Sequence, residues 1–239
     1  MIATALGACV YDLYIANKNY SSWSLRPWVL FTQLGLPFNE RLQVFAAGPN
    51  WGAFRSFSPT GKVPCLHHAG EVVWDSLAIA EYLAERHPGV WPERADARAW
   101  ARCAAAEMHS GFGELREVCS MNCGLRVELR DESLARIQAD LTRLDELWRQ
   151  GLTRFGGPYL AGAAFTAVDA FYAPVAFRIQ TFGLTLSPLA QAYAQRLLDL
   201  PAMRQWYEAA LAEPWREPAH DEATLMYGAL LEDLRVNPA

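Results

Sequence analysis

Three short stretches in the first part of the chain carry the residue types that could do chemistry. The first is Asn19-Tyr20-Ser21-Ser22-Trp23-Ser24, leading into Leu25-Arg26-Pro27-Trp28. A serine cluster ahead of a helix has two uses. It can cap the helix by accepting a backbone N–H, or it can turn a hydroxyl toward a ligand. The second stretch is Ser58-Pro59-Thr60-Gly61-Lys62-Val63-Pro64-Cys65. An X-Pro bond costs only about 0.5–1 kcal/mol in the cis form, and a cis Val63-Pro64 bond would turn the Val63 N–H and C=O outward to pair with an extended peptide. A trans proline opening an edge strand is the other reading. The third is Asp75-Ser76, directly before an apolar helical pattern. Asp75 can serve as an N-cap. In the ligand-binding version the Ser76 N–H and hydroxyl take a carboxylate at the helix N-terminus while Asp75 takes an ammonium.

The elements that must hold these stretches follow from periodicity. Residues 10–15 form a β-rich run, 25–34 have helical spacing closed by Gly35, and 38–44 suit a second strand. Residues 63–67 and 71–73 flank a turn at His68-Ala69-Gly70 and read as a hairpin, followed by a helix over 75–86. His67 and His68 fall in that hairpin and suggest neither triad nor metal site. Beyond residue 94 strand signals fade. Long amphipathic patterns cover 94–119 and 133–155, then 168–180, 188–198 and 201–213, with one last helix expected over 223–234. Between the two textures lies 87–93, rich in Pro and Gly. The expected division is therefore 1–86, a linker at 87–93, and 94–239.

The three stretches come in the order found in glutathione S-transferases: a serine loop after strand one, Val-Pro before strand three, and acidic-Ser before helix three. Ser21-Ser22-Trp23-Ser24 resembles the Ser-Ser-Cys-Ser run of the zeta-class enzymes (maleylacetoacetate isomerases), with Trp23 where that class carries cysteine. Thr166-Ala167-Val168-Asp169 and the preceding Gly157-Pro158-Tyr159-Leu160-Ala161-Gly162 are similar to the capping box and lead-in of a core helix in the second domain.

The resemblance implies an α/β thioredoxin-like N-terminal domain plus an all-α C-terminal helical domain, the glutathione S-transferase fold. It also implies glutathione as co-substrate. Ser21 or Ser22 would activate the glutathione thiol; Lys62, Val63, Pro64, Asp75 and Ser76 would bind the tripeptide; a small hydrophobic electrophile would be the second substrate. Family position favours Ser21. Met108, His109, Phe112 and Arg116 either line the electrophile pocket or belong to core and surface. Family habit adds a homodimer. The alternatives are a non-catalytic binding or regulatory protein on the same fold, or a maleylacetoacetate isomerase-like cis–trans isomerase.

Composition sets the remaining bounds. The 239 residues carry a formal net charge of −5, which offers no general attraction to nucleic acid or anionic membrane. No apolar run approaches a membrane span, and the short apolar start at 1–10, with Cys9, lacks the features of a signal. A cytoplasmic protein without nucleic-acid or membrane partners is expected. The five cysteines are scattered and form no C-x-x-C; neither a disulfide framework nor a metal is expected. With no cysteine in 17–28, thiolate exchange cannot run from the head of the first helix. Arg98, Arg102, Arg136 and Arg143 read as solvated, ion-paired helix faces.

Overall fold

The computed structural model describes residues 10–45 and 51–236. The expected apolar start with Cys9 lies outside the described residues, apart from Val10. β1 (Tyr11–Ile15) runs parallel to β2 (Phe38–Leu42) and antiparallel to β3 (Cys65–His68), which pairs with β4 (Glu71–Val73). The sheet order is β2-β1-β3-β4. Period-two alternation decides its faces. Tyr11, Leu13 and Ile15 join the main core on one side, and Tyr14 stacks on Phe57 at 4.5 Å on the other. There a smaller cluster of Ala16, Phe54, Phe57 and Cys65 packs with the short helix α2 (Trp51–Phe54). The β3–β4 turn has positive φ at Ala69 (54°) and Gly70 (85°), the mirror-image turn that suits a tight hairpin.

Helix α1 (Ser22–Gln33) begins three residues before the expected position. Pro27 is therefore its sixth residue, outside the first turn, and cannot donate to the Trp23 carbonyl. Helix α3 (Ser76–Ala84) packs beside α1 on the main-core face of the sheet. The helical half follows: α4 (Ala95–Ser110), α5 (Gly113–Val118), α6 (Asp131–Phe155), α7 (Ala167–Phe182), α8 (Pro188–Leu198) and α9 (Pro201–Ala212). Helix α7 is buried along nearly its whole length and packs on α1, α4 and α8. It is opened by the Thr166/Asp169 capping box. Asp169 accepts from the N–H groups of Thr166 (2.9 Å) and Leu160 (3.0 Å) and from the Tyr193 hydroxyl (2.8 Å). Burial nonetheless pushes its carboxyl up to about 6.

Two expectations are corrected here. The pattern at 94–119 is two helices, α4 and α5, because the chain leaves α4 at an extended Gly111 and then takes a left-handed turn at Phe112 (φ 54°). That turn buries the Phe112 ring near Tyr172. The helical half also contains a ribbon, β5 (Leu125–Leu129) with β6 (Gly228–Asp233), where the tail was expected to be helical at 223–234. Pro218 starts helix α10 (Pro218–Leu225) earlier. Gly228 then lets the strand close on Glu128, whose carbonyl oxygen leaves no room for a Cβ. No helix among the described residues is long and apolar enough to cross a membrane.

Candidate active site

The loop before α1 is anchored to the helical half. Glu213 at the end of α9 accepts from the half-buried N–H of Lys18 (2.6 Å) and the buried N–H of Asn19 (3.2 Å). Asn19 donates to Asn122 and accepts from the Gly124 N–H. The Tyr20 hydroxyl accepts from the Glu217 N–H (3.2 Å) and Arg235 (3.0 Å), which ties this cleft-lining phenol to the tail. Tyr14 lies on the far face of the sheet. Lys18, one of only two lysines, pairs with Glu40 at 2.6 Å and is structural.

The loop therefore delivers the serines to fixed places. Ser21 is the N-cap residue but makes no capping bond with its side chain; its Oγ donates to Ser24 Oγ at 2.7 Å. Ser24 is fully buried and accepts from the Ala16 N–H at 3.2 Å. Ser22 is half-buried at the first turn of α1. Both Ser21 and Ser22 open on a cleft of about 600 Å³, lined also by Trp23, Phe45, Lys62 and Val63 from the first half and by Arg116, Met121, Arg178 and His220 from the second.

The remaining expected residues frame this cleft unevenly. The Val63-Pro64 bond is cis, and among the described residues neither the N–H nor the carbonyl of Val63 is taken up by neighbouring main chain. Lys62 is exposed on the cleft wall with no ion pair among the described residues. Pro64 is buried behind it. Asp75 and Ser76 stand outside the cleft lining, at the head of α3. Asp75 caps α3 through the Leu77 N–H (2.9 Å), and its other oxygen meets His109 Nε2 at 3.2 Å. Ser76 is 1% exposed and its hydroxyl has no hydrogen-bond partner, an orphan that a ligand carboxylate at the α3 N-terminus would satisfy.

Of the four α4–α5 candidates, Arg116 lines the cleft, while Met108 and Phe112 are buried in the core. His109 lies behind Trp23, the two rings edge-on at 5.3 Å. Burial pulls its imidazole below the usual histidine range, with help from Arg26 and Arg116 and against Asp75. Arg102, Arg136 and Arg143 pair with Glu81, Glu114 and Glu107 on exposed faces, and Arg98 donates to the carbonyls of Pro92 and Glu93. His67 and His68 bond to Phe57 and Tyr82 as structural groups.

Several lining residues went unanticipated, Arg178 and His220 among them. Arg178 did carry a signal, being the one basic residue in the largely apolar 167–182 segment. His220 carried none, because only the docking of the tail brings it to the cleft. Among the described residues no group of three His, Cys, Asp or Glu side chains is placed to hold a metal.

Two family models match the chain. The family model "Glutathione S-transferase, N-terminal domain" matches residues 20–86, and "Glutathione S-transferase, C-terminal domain" matches 127–209. A probable maleylacetoacetate isomerase of Caenorhabditis elegans is 30% identical over 155 residues, covering 62% of this chain and 71% of that protein. Glutathione S-transferase A of Pleuronectes platessa is 24% identical over 186 residues, 74% of this chain and 83% of that one. Among solved structures, a Burkholderia glutathione transferase homolog with bound glutathione superposes with a TM-score of 0.63 at 24% identity, covering 84% of this chain and 98% of that one. With both domain models matched over more than half of its length, the chain belongs to the glutathione S-transferase family.

Proposed function

We propose that this chain activates the thiol of glutathione with a serine hydroxyl at the head of α1 and directs it at a small electrophile held against the helical half. The observation that carries this reading is the joint placement of Ser21, Ser22, Lys62 and the unpaired Val63 main chain on one cleft. A free thiol titrates near 8.5, and each unit of lowering needs about 1.36 kcal/mol. A hydroxyl bond to the charged sulfur supplies about 1.5–3 kcal/mol. The N-terminus of α1 adds about 0.3–1 kcal/mol. Together they lower the thiol by about one to two units, with no general base.

The Ser21–Ser24 pair bears on which serine acts. Ser24 already accepts from the Ala16 N–H, so its own hydroxyl proton can turn to Ser21. Ser21 is then free to donate into the cleft, and the two hydroxyls reinforce one another. Ser22 needs no such rotation. In this reading Val63 pairs with the cysteinyl main chain, with cis Pro64 behind it, and Lys62 faces a glutathione carboxylate. Ser76 receives the γ-glutamyl carboxylate and Asp75 the ammonium. Residues 1–86 form the glutathione-binding domain, joined through 87–93 to a substrate-binding domain at 94–239.

The name of the nematode relative favours a second reading within the enzyme class, cis–trans isomerisation of an unsaturated acid. Retention on immobilised glutathione, followed by assays with a generic aryl halide and with maleylacetoacetate, separates the readings. Transfer to the halide, reduced in Ser21→Ala or Ser22→Ala, supports the proposal. Turnover of maleylacetoacetate alone selects the isomerase, and neither retention nor turnover selects the non-catalytic alternative.

A further inference from the structure

Two arginines lie over the Trp23 ring, Arg26 on α1 and Arg116 on α5, and a third, Arg178 on α7, shares the cleft lining with it. The Arg26 guanidinium lies 4.1 Å from the Trp23 ring centroid and 5.0 Å from that of Phe171. Arg116 sits 5.6 Å from the same Trp23 ring and donates to the His109 carbonyl. Arg178 donates one Nη1 bond to the Cys119 carbonyl. Arg26 and Arg178 are 2% and 5% exposed. Nε and Nη1 of Arg26 and Nε of Arg178 have no partner.

None of the three makes an ion pair among the described residues, whereas Arg102, Arg136, Arg143 and Arg235 each face a carboxylate. Asp75 is held by Leu77 and His109, and Glu117, which also borders the cleft, accepts from the Tyr227 hydroxyl through one oxygen. Buried guanidinium groups left unpaired are expensive. Arg116, Arg178 and the Trp23 ring all border the cleft, so a ligand entering it can supply the missing counter-charge.

We propose that Arg116 and Arg178 form an anion subsite of the cleft, which receives a carboxylate of the second substrate while its planar body lies against Trp23. The small hydrophobic electrophile expected from the sequence is then specified further, as a conjugated or aromatic acid. Arg26, behind the ring, adds positive field without touching the ligand. The subsite rests on the glutathione reading only in calling the bound acid the electrophile.

Calorimetric titration of the full chain without glutathione, using 3,5-dinitrobenzoate and the neutral 1,3-dinitrobenzene, tests it. The benzoate is expected to bind at least about tenfold more tightly, the scale of one charged hydrogen bond. Arg116→Gln should cut that preference by about tenfold; Arg178→Lys, which keeps the charge in a buried place, should retain part of it. Circular dichroism confirms that each variant folds. Equal affinity for the two probes, or a preference unchanged in Arg116→Gln, overturns the subsite. A second arm adds glutathione and compares turnover of 4-chloro-3,5-dinitrobenzoate with that of 1-chloro-2,6-dinitrobenzene. Arginine-dependent binding with no turnover of either halide rejects the glutathione reading and leaves the subsite standing. Turnover without preference for the acid rejects the acid as the electrophile.

Discussion

Replacing Arg26 by methionine should stabilise the protein. The guanidinium is buried with no ion pair among the described residues, and two of its nitrogens have no partner. Burial, assisted by Arg116 and Arg178, pulls it down to about 9. A guanidinium in water titrates above about 12, so the displacement of at least three decades amounts to about 4 kcal/mol. The contacts with Trp23 and Phe171 return about 2 kcal/mol together. Arg26→Met keeps the length and apolar stem of the side chain and removes the charge, so a net gain of about 2 kcal/mol is expected. That is about 4–8 °C in Tm for a chain of this size. The group's proton affinity is depressed by folding, so the penalty is full below pH 9 and fades as pH rises through and beyond it. The advantage of the variant should therefore be complete at pH 7 and shrink in strong alkali. Urea and thermal melts at pH 7 measure it. A variant less stable than the parent would show that Arg26 is satisfied in the fold, and the argument from an unpaired cation would fail.

Other substitutions separate the supports of the site. Glu213→Ala leaves the half-buried N–H of Lys18 and the buried N–H of Asn19 without an acceptor. A loss of about 2–4 kcal/mol in a urea melt is expected, together with weaker glutathione binding as the serine loop loosens. Asp169→Asn puts an amide against donors from Leu160, Thr166 and Tyr193; a loss of about 3 kcal/mol is expected, read as a lowered thermal midpoint. His109 is depressed by burial and by Arg26 and Arg116. Below its ordinary 6.5 the unfolded chain takes up the proton more readily than the folded one, so its contribution to stability falls as pH falls. The stability difference between the parent and His109→Gln should narrow between pH 7.5 and 5.5, as parallel denaturation at several pH values would register.

The thioredoxin-like half was legible because its signals are local. Alternation over 11–15, the Ala69-Gly70 turn and the apolar face after Asp75-Ser76 each specify their element without distant partners. The helical half was legible where a helix presents one apolar stripe, as α6 does, and where Pro188, Pro201 and the Thr166/Asp169 box mark its starts. It failed where tertiary pairing decides. Leu125 and Val127 point inward between Arg126 and Glu128, a strand pattern too short to register beside long helices, and β6 becomes a strand only by pairing with it. The site divided the same way. Ser21, Ser22 and Val63 lie within short local motifs, so their order along the chain announced them. Arg178 and His220 reach the cleft through the packing of α7 and the docking of the tail. Asp75 was read as either cap or ligand group, and the fold gives it a cap and a His109 contact together.

The thiolate absorbance of glutathione bound to the protein, followed as pH is raised, tests serine activation most directly. In the parent the bound thiol should titrate about one to two units below the 8.5 of the free thiol. In the Ser21→Ala/Ser22→Ala double variant it should return most of the way toward 8.5, and the single variants assign the shift between the two hydroxyls. A bound thiol that titrates at or above 8.5 in the parent would contradict the account, as would a lowered value that survives loss of both serines.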